Sequence, residues 1–246
     1  MIRVAREGTL ATITLARPEK RNALTPEMLA SLTSAVAQVD ATDARVIVLA
    51  GEGSAFCAGF DLTLCKDHPD GSVMRALLTG LSGAIEALRN QPRPVVIAAQ
   101  GAAVAGGCAL LGAGDLVLTN DEAKIGYPVV RLGVSPAVSG PFLRLRVGDA
   151  HARERMLDTR LISGKTAAAI GLATLSFPTS DEVLPAALAE AHALAEKPPA
   201  ALAATRRLLA EIETLGDTPW RGLSASLALT GGPEERRLLP QVWTTP

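Results

Sequence analysis

Gln100-Gly101-Ala102-Ala103-Val104-Ala105-Gly106-Gly107-Cys108-Ala109 follows an apolar run at residues 94–99 and leads into a helical pattern at 108–113. A run that stays apolar on successive residues is what a strand covered on both faces requires. A Gly-Gly pair that opens a helix leaves N–H groups with no partner one turn back, and the helix dipole favours negative charge there. The same pair also suits close helix packing through small residues, and the pair alone does not separate these readings.

Upstream the arrangement recurs. Residues 45–50 form another short apolar run, followed by Ser54-Ala55-Phe56-Cys57-Ala58-Gly59-Phe60-Asp61-Leu62. Small residues at 58 and 59 let a ligand approach the backbone closely. An ordinary strand-to-helix loop reads the same way. Outward from these two segments, residues 9–15 read as a strand after a turn at Gly8. Residues 17–22 form a charged loop. Thr25 and Pro26 open a helix as N-cap and first helical residue, with Leu29, Leu32, Val36 and Val39 on its apolar face. A helix is expected at 73–88, strands at 115–119 and 123–126, and an extended piece at 175–178. Helices are expected at about 150–157, 166–170, 181–195, 200–215 and 219–229. The pattern is α/β with a C-terminal helical part.

The chain has 246 residues, of which 48% are hydrophobic, enough for one large core. Its net charge is −1 with charges interspersed, which gives no basis for a nucleic-acid or membrane-surface partner. Three cysteines without CxxC spacing argue against a disulfide framework and a zinc site, so no metal is expected. Residues 1–6 lack a signal-peptide layout and no stretch is long enough to span a membrane, so the expected location is the cytoplasm. No GxGxxG follows the first strand, which removes a dinucleotide-binding reading.

Two glycine-bearing loops, each after a buried strand, resemble the crotonase superfamily, the enoyl-CoA hydratase/isomerase family. The resemblance extends to Arg17-Pro18-Glu19-Lys20-Arg21-Asn22-Ala23-Leu24, to Gly126-Tyr127-Pro128 through Leu132-Gly133, and to Leu161-Ile162-Ser163 through Gly171-Leu172. It implies a spiral of ββα turns over residues 1–195 and a helical trimerisation region at 196–246, assembled as a trimer or a pair of trimers. It implies an acyl-CoA thioester as substrate, with coenzyme A entering only as part of that substrate and no separate cofactor. Coenzyme A would lie along Lys20, Arg21 and Ala23, whose basic members suit phosphates. The backbone at Ala58, Gly59 and Asp61 would meet adenine and thioester, and Leu62, Gly107, Pro128, Val129 and Leu132 would complete the binding site. The N–H groups of Phe60 and Gly106 would form an oxyanion hole, in which one donor is typically worth about 100- to 1000-fold in rate.

The chain departs from the family at the acid/base positions. A typical hydratase of the family has glutamates where Ala109 and Val129 stand here, and a third acidic position used by some isomerases falls near Ala137. Adding water to a double bond needs a base for water and an acid for carbon, and alanine and valine supply neither. Candidate substitutes are Tyr127, which also reads as a packed core phenol, and Asp67 with His68, which also read as a solvated pair beside a turn. Asp61 reads as a loop brace or a coenzyme A contact, Cys108 as a small buried hydrophobe, and Ser135 and Ser139 as turn residues. Two functions stay open: an enzyme of the lyase/isomerase class working mainly through the oxyanion hole, including decarboxylation or isomerisation by other residues, and a non-catalytic acyl-CoA binder.

Overall fold

Strands that are apolar on both faces must be covered on both faces, and this requirement organises the molecule. In a computed structural model, residues 1–213, 223–224, 226–228 and 230–241 are described. Strands β3 (Val46–Gly51) and β4 (Val95–Ala99) are buried at every position and pair in parallel, with Ile47 opposite Val95. They lie in the middle of a six-stranded sheet, order β1-β2-β3-β4-β6-β9. Its other strands are β1 (Ile2–Glu7), β2 (Leu10–Leu15), β6 (Leu116–Asn120) and β9 (Leu175–Phe177). Only β1 with β2 is antiparallel.

One face of this sheet carries Ile13, Ile47, Leu49, Val95 and Ile97, packed under α1 (Pro26–Val39), α2 (Ser72–Arg89) and α3 (Gly106–Leu110). The opposite face carries Leu10, Val46, Val48, Val96 and Leu118, covered by Val183, Ala187, Ala191 and Ala195. These four lie on the helix Val183–Ala195, which is α6 in chain order after α4 (Gly140–Leu157) and α5 (Gly164–Ala169). Each fully buried branched side chain contributes about 1.5–3 kcal/mol, so the two-sided burial anchors the fold. Helices α7 (Pro199–Glu213) and α8 (Pro233–Leu238) form the C-terminal helical part.

A second sheet of three short strands, β5 (Ala102–Val104), β7 (Lys124–Gly126) and β8 (Ile162–Ser163), stands at the ends of the first. Isolated bridges Cys57–Ala103 and Leu24–Phe60 extend its pattern of pairing into the neighbouring loops. The chain thus repeats strand, short extended piece, helix: β4-β5-α3 and then β6-β7-α4, with the bridge at Cys57 standing for the extended piece between β3 and α2.

The α/β expectation holds, and α1 has its Thr25 cap, whose hydroxyl accepts from the Met28 N–H at 3.2 Å. Several boundaries differ. Strand β1 is charged and mostly exposed, as an edge strand can be, and so shows no apolar alternation to read. The segment read as a loop at 101–107 contains β5, and α3 starts at Gly106 rather than at 108. Helix α4 starts at Gly140, well before 150, and is broken at Gly148, where φ is 72°. The helix expected at 219–229 lies largely outside the described residues.

Candidate functional site

The charged loop at 17–22 is a brace. Asn22 is fully buried in a left-handed conformation (φ 56°), which asparagine tolerates better than most residues. Its Nδ2 donates to the Glu52 and Ala55 carbonyls at 2.9 and 2.8 Å, and its Oδ1 accepts from the Arg17 N–H at 2.8 Å. The chain beyond it then holds the loop at 58–61: Ala58 N–H donates to Arg21 O (2.9 Å), Leu24 N–H to Gly59 O (2.7 Å) and Asp61 N–H to Leu24 O (2.9 Å). In such a bridge Phe60 is paired through its neighbours' groups, so its own N–H is turned away from Leu24. That N–H donates to no acceptor among the described residues.

Asp61 is this brace's other half. Its carboxylate pairs with Arg17 Nη2 at 2.7 Å and accepts from the Thr63 hydroxyl at 2.5 Å, while Arg17 Nη1 donates to Ala23 O at 3.0 Å. Burial pushes the Asp61 carboxyl up, but the Thr63 hydroxyl and Arg17 outweigh it and hold the group below its ordinary value. Asp61 is thus a loop brace, its charge already matched inside the protein.

The second segment lies against the first. Cys57 N–H donates to Ala102 O and Val104 N–H to Cys57 O, at 2.9 and 3.0 Å. Ala105 N–H is fixed to Gly126 O at 2.8 Å in a conformation (φ 51°, ψ −113°) that costs a non-glycine residue about 1–3 kcal/mol and persists only where its surroundings impose it. This turn starts α3 at Gly106, whose N–H likewise has no acceptor among the described residues; the first helical bond is Ala109 N–H to Ala105 O, 2.9 Å. The close approach demands glycine. A Cβ on Gly107 would stand 2.4 Å from Cys57 O, and one on Gly59 (φ 94°) 2.9 Å from Val104 O.

Both Phe60 and Gly106 border one apolar cavity of about 130 Å³. Of the other residues expected at the site, Ala58, Leu62, Ala109, Pro128, Val129 and Leu132 also line it. Gly59, Asp61 and Gly107 stand behind the lining, in the supporting backbone. Lys20 and Arg21 are exposed and Ala23 is half-buried on the adjoining loop. The sequence reading did not place Met74, Leu78 and Leu81 here; they are the α2 stripe that reads equally well as ordinary core. Ala137 is not in the lining, although its neighbours Pro136 and Val138 are.

Among the described lining residues, polar side chains come only from Tyr127, Ser135 and Ser139. Tyr127 is 2% exposed, and its hydroxyl lies near Cys108 and Ser139. Burial, and next the Cys108 thiol, push that hydroxyl well above the usual range of a phenol, with Ser139 opposing. Asp67 and His68 are exposed and do not border the cavity. Glu235, on α8, is buried and its carboxyl is raised by that burial, but it too lies outside the lining. Burial pushes the thiols of Cys57 and Cys108 up to about 12 and that of Cys65 to about 11, so none supplies a thiolate nucleophile near neutral pH. Among the described residues no cluster of His, Cys, Asp or Glu is arranged to hold a metal ion, and no helix is long and apolar enough to cross a membrane.

The family model for enoyl-CoA hydratase/isomerase matches residues 5–218. The chain is 35% identical over 217 residues to a Thermus thermophilus protein named "Putative enoyl-CoA hydratase", covering 85% of this chain and 84% of that one. It superposes on the crystal structure of an enoyl-CoA hydratase/isomerase from Xanthobacter autotrophicus with TM-score 0.89 and 26% identity, over 99% of this chain and 93% of the other. One from Mycobacterium paratuberculosis gives TM-score 0.88 at 27% identity, over 98% and 97%.

Proposed function

The chain belongs to the enoyl-CoA hydratase/isomerase family, and we propose that it binds an acyl-CoA thioester with the acyl group in the apolar cavity and the carbonyl oxygen on the N–H groups of Phe60 and Gly106. One observation carries this reading. Two amides from separate segments, neither with an acceptor among the described residues, border the same cavity. A fixed donor with no acceptor in the protein is open to a ligand oxygen, and such a hydrogen bond is worth about 0.5–1.5 kcal/mol net. The exposed Lys20 and Arg21 beside Ala23 suit the phosphates of coenzyme A. Exposed Leu208, Leu209 and Ile212 on α7 suit assembly into a trimer.

Fixed amide donors stabilise negative charge as it develops on the thioester oxygen. Hydration would further need a base and an acid at the cavity. Ala109 and Val129 offer neither, and no carboxylate is among the described lining residues. The site therefore favours a reaction in which bond cleavage in the substrate itself makes the enolate, such as loss of CO₂ from a malonyl-type thioester. The missing carboxylates also support a second reading, a binder that holds the thioester without converting it.

Calorimetry with crotonyl-, malonyl- and acetyl-CoA, followed by product analysis, tests both. Thioesters are expected to bind more tightly than free coenzyme A, with malonyl-CoA yielding acetyl-CoA and CO₂. Binding without conversion of any thioester selects the binder, and a chain that binds no thioester sinks the proposal.

A further inference from the structure

Tyr127 is the one tyrosine in the chain and borders the same cavity as Phe60 and Gly106. It directly follows Gly126, whose carbonyl fixes Ala105 N–H at 2.8 Å and with it the start of α3 at Gly106. Its hydroxyl lies near Cys108 on α3 and near Ser139 at the end of the turn Pro136–Ser139. Tyr127, Ser139 and Gly106 all border the cavity. Of the polar side chains there, the phenol is the strongest acid, since serine hydroxyls are far weaker acids.

We propose that Tyr127 is the catalytic acid of this site, delivering its phenolic proton to the α-carbon of a thioester enolate held by the Phe60 and Gly106 amides. The inference rests on the oxyanion reading above and assigns the step that follows it. A neutral phenol cannot remove a proton from a thioester α-carbon, but a thioester enolate is a far stronger base than a phenolate. The site thus quenches an enolate and does not make one by deprotonation. With a malonyl-type thioester, the bond between Cα and the carboxylate breaks, CO₂ leaves, and the electron pair passes into the enolate. The enolate then takes the Tyr127 proton as a new Cα–H bond. The resulting phenolate accepts a hydrogen bond from Ser139, which favours the anion, and recovers a proton from water when product leaves. The balance is one thioester carboxylate and one proton giving the shortened thioester and CO₂.

A single tyrosine makes the test direct, because full-length protein grown with ring-labelled [¹³Cζ]tyrosine gives one reporter resonance. Acetoacetyl-CoA is the probe: it forms a stable enolate whose ultraviolet absorbance reports the oxyanion site independently of Tyr127. The expected result is a rise in enolate absorbance together with a shift of the tyrosine resonance, neither produced by free coenzyme A. In addition, Tyr127→Phe is expected to lower kcat for malonyl-CoA decarboxylation about 100-fold or more, with KM little changed. Enolate absorbance that rises while the tyrosine resonance stays still overturns the Tyr127 assignment and leaves the oxyanion reading intact. Wild-type kcat in Tyr127→Phe, or a wild-type chain that binds the enolate and converts no malonyl thioester, overturns it as well. Failure to bind any thioester removes the oxyanion reading and this assignment with it. Should Tyr127→Phe not fold, the resonance in the native sequence decides alone.

Discussion

The two sides of the cavity are built by different means. The amide side, Phe60 and Gly106, is positioned by main-chain hydrogen bonds from three separate segments, at 21–24, 57–61 and 102–105, with further support from Gly126. The other side is a wall of side chains, from Met74, Leu78 and Leu81 on α2 and from Val129, Leu132 and Val138. A backbone donor is independent of which side chain its residue carries, so the amide side can persist through most substitutions. A wall of side chains has no such protection, and the positions at which the family's glutamates would stand, Ala109 and Val129, belong to it. Ala109 lies on α3 with Gly106 itself, so the acid/base positions adjoin the amides but depend on side chains, which can change while the backbone donors stay.

The sharpest way to break this comparison is to remove a donor. Gly106→Pro deletes the N–H and should reduce turnover of any converted thioester about 100- to 1000-fold. Gly106→Ala is its control: it keeps the N–H and adds a methyl 3.1 Å from the Phe60 ring, so equal losses in both variants would mean that shape, and not the amide, matters. The wall is tested by addition. Ala109→Glu combined with Val129→Glu should raise crotonyl-CoA hydration about 100-fold above the starting chain, at the cost of a lower melting temperature from burying carboxylates among apolar groups. No gain would mean that the wall as a whole, beyond those two positions, is unsuited to water addition.

The smallest effect concerns the brace. Asp61→Asn should cost about 1–3 kcal/mol in urea unfolding at pH 7 through loss of the Arg17 pair. The folded carboxyl lies below its unfolded value of about 4. Its contribution is therefore complete above that unfolded value and is lost as pH falls through the folded one. The two proteins should converge in stability at acid pH, and a gap that stays constant across the titration would show that the ion pair is not its source.

Much of the backbone side was legible in the sequence. The apolar runs that became β3 and β4, the Thr25-Pro26 helix start, and the small residues at 58–59 and 106–107 are local signals, and the segments they mark lie together at the site. The wall was legible only in part. Ala109, Val129 and Leu132 follow from the resemblance, but Met74, Leu78 and Leu81 form the same i, i+4, i+7 stripe whether a helix covers a dry core or a ligand. Strand β1 escaped because an exposed edge needs no apolar alternation. The early start of α4 was hidden by glycines at 140 and 148.

By itself the sequence determined the buried strands of the sheet's middle, the capped start of α1, and which positions lack an acid or a base, because periodicity, glycine tolerance and side-chain chemistry are properties of neighbours along the chain. The tertiary structure alone decided that Phe60 and Gly106 border one cavity, that Asp61 is paired with Arg17, and that the Tyr127 hydroxyl lies near Cys108 and Ser139. Those facts depend on contacts between segments tens of residues apart, where packing of the whole fold sets the distances and local pattern carries no information about them.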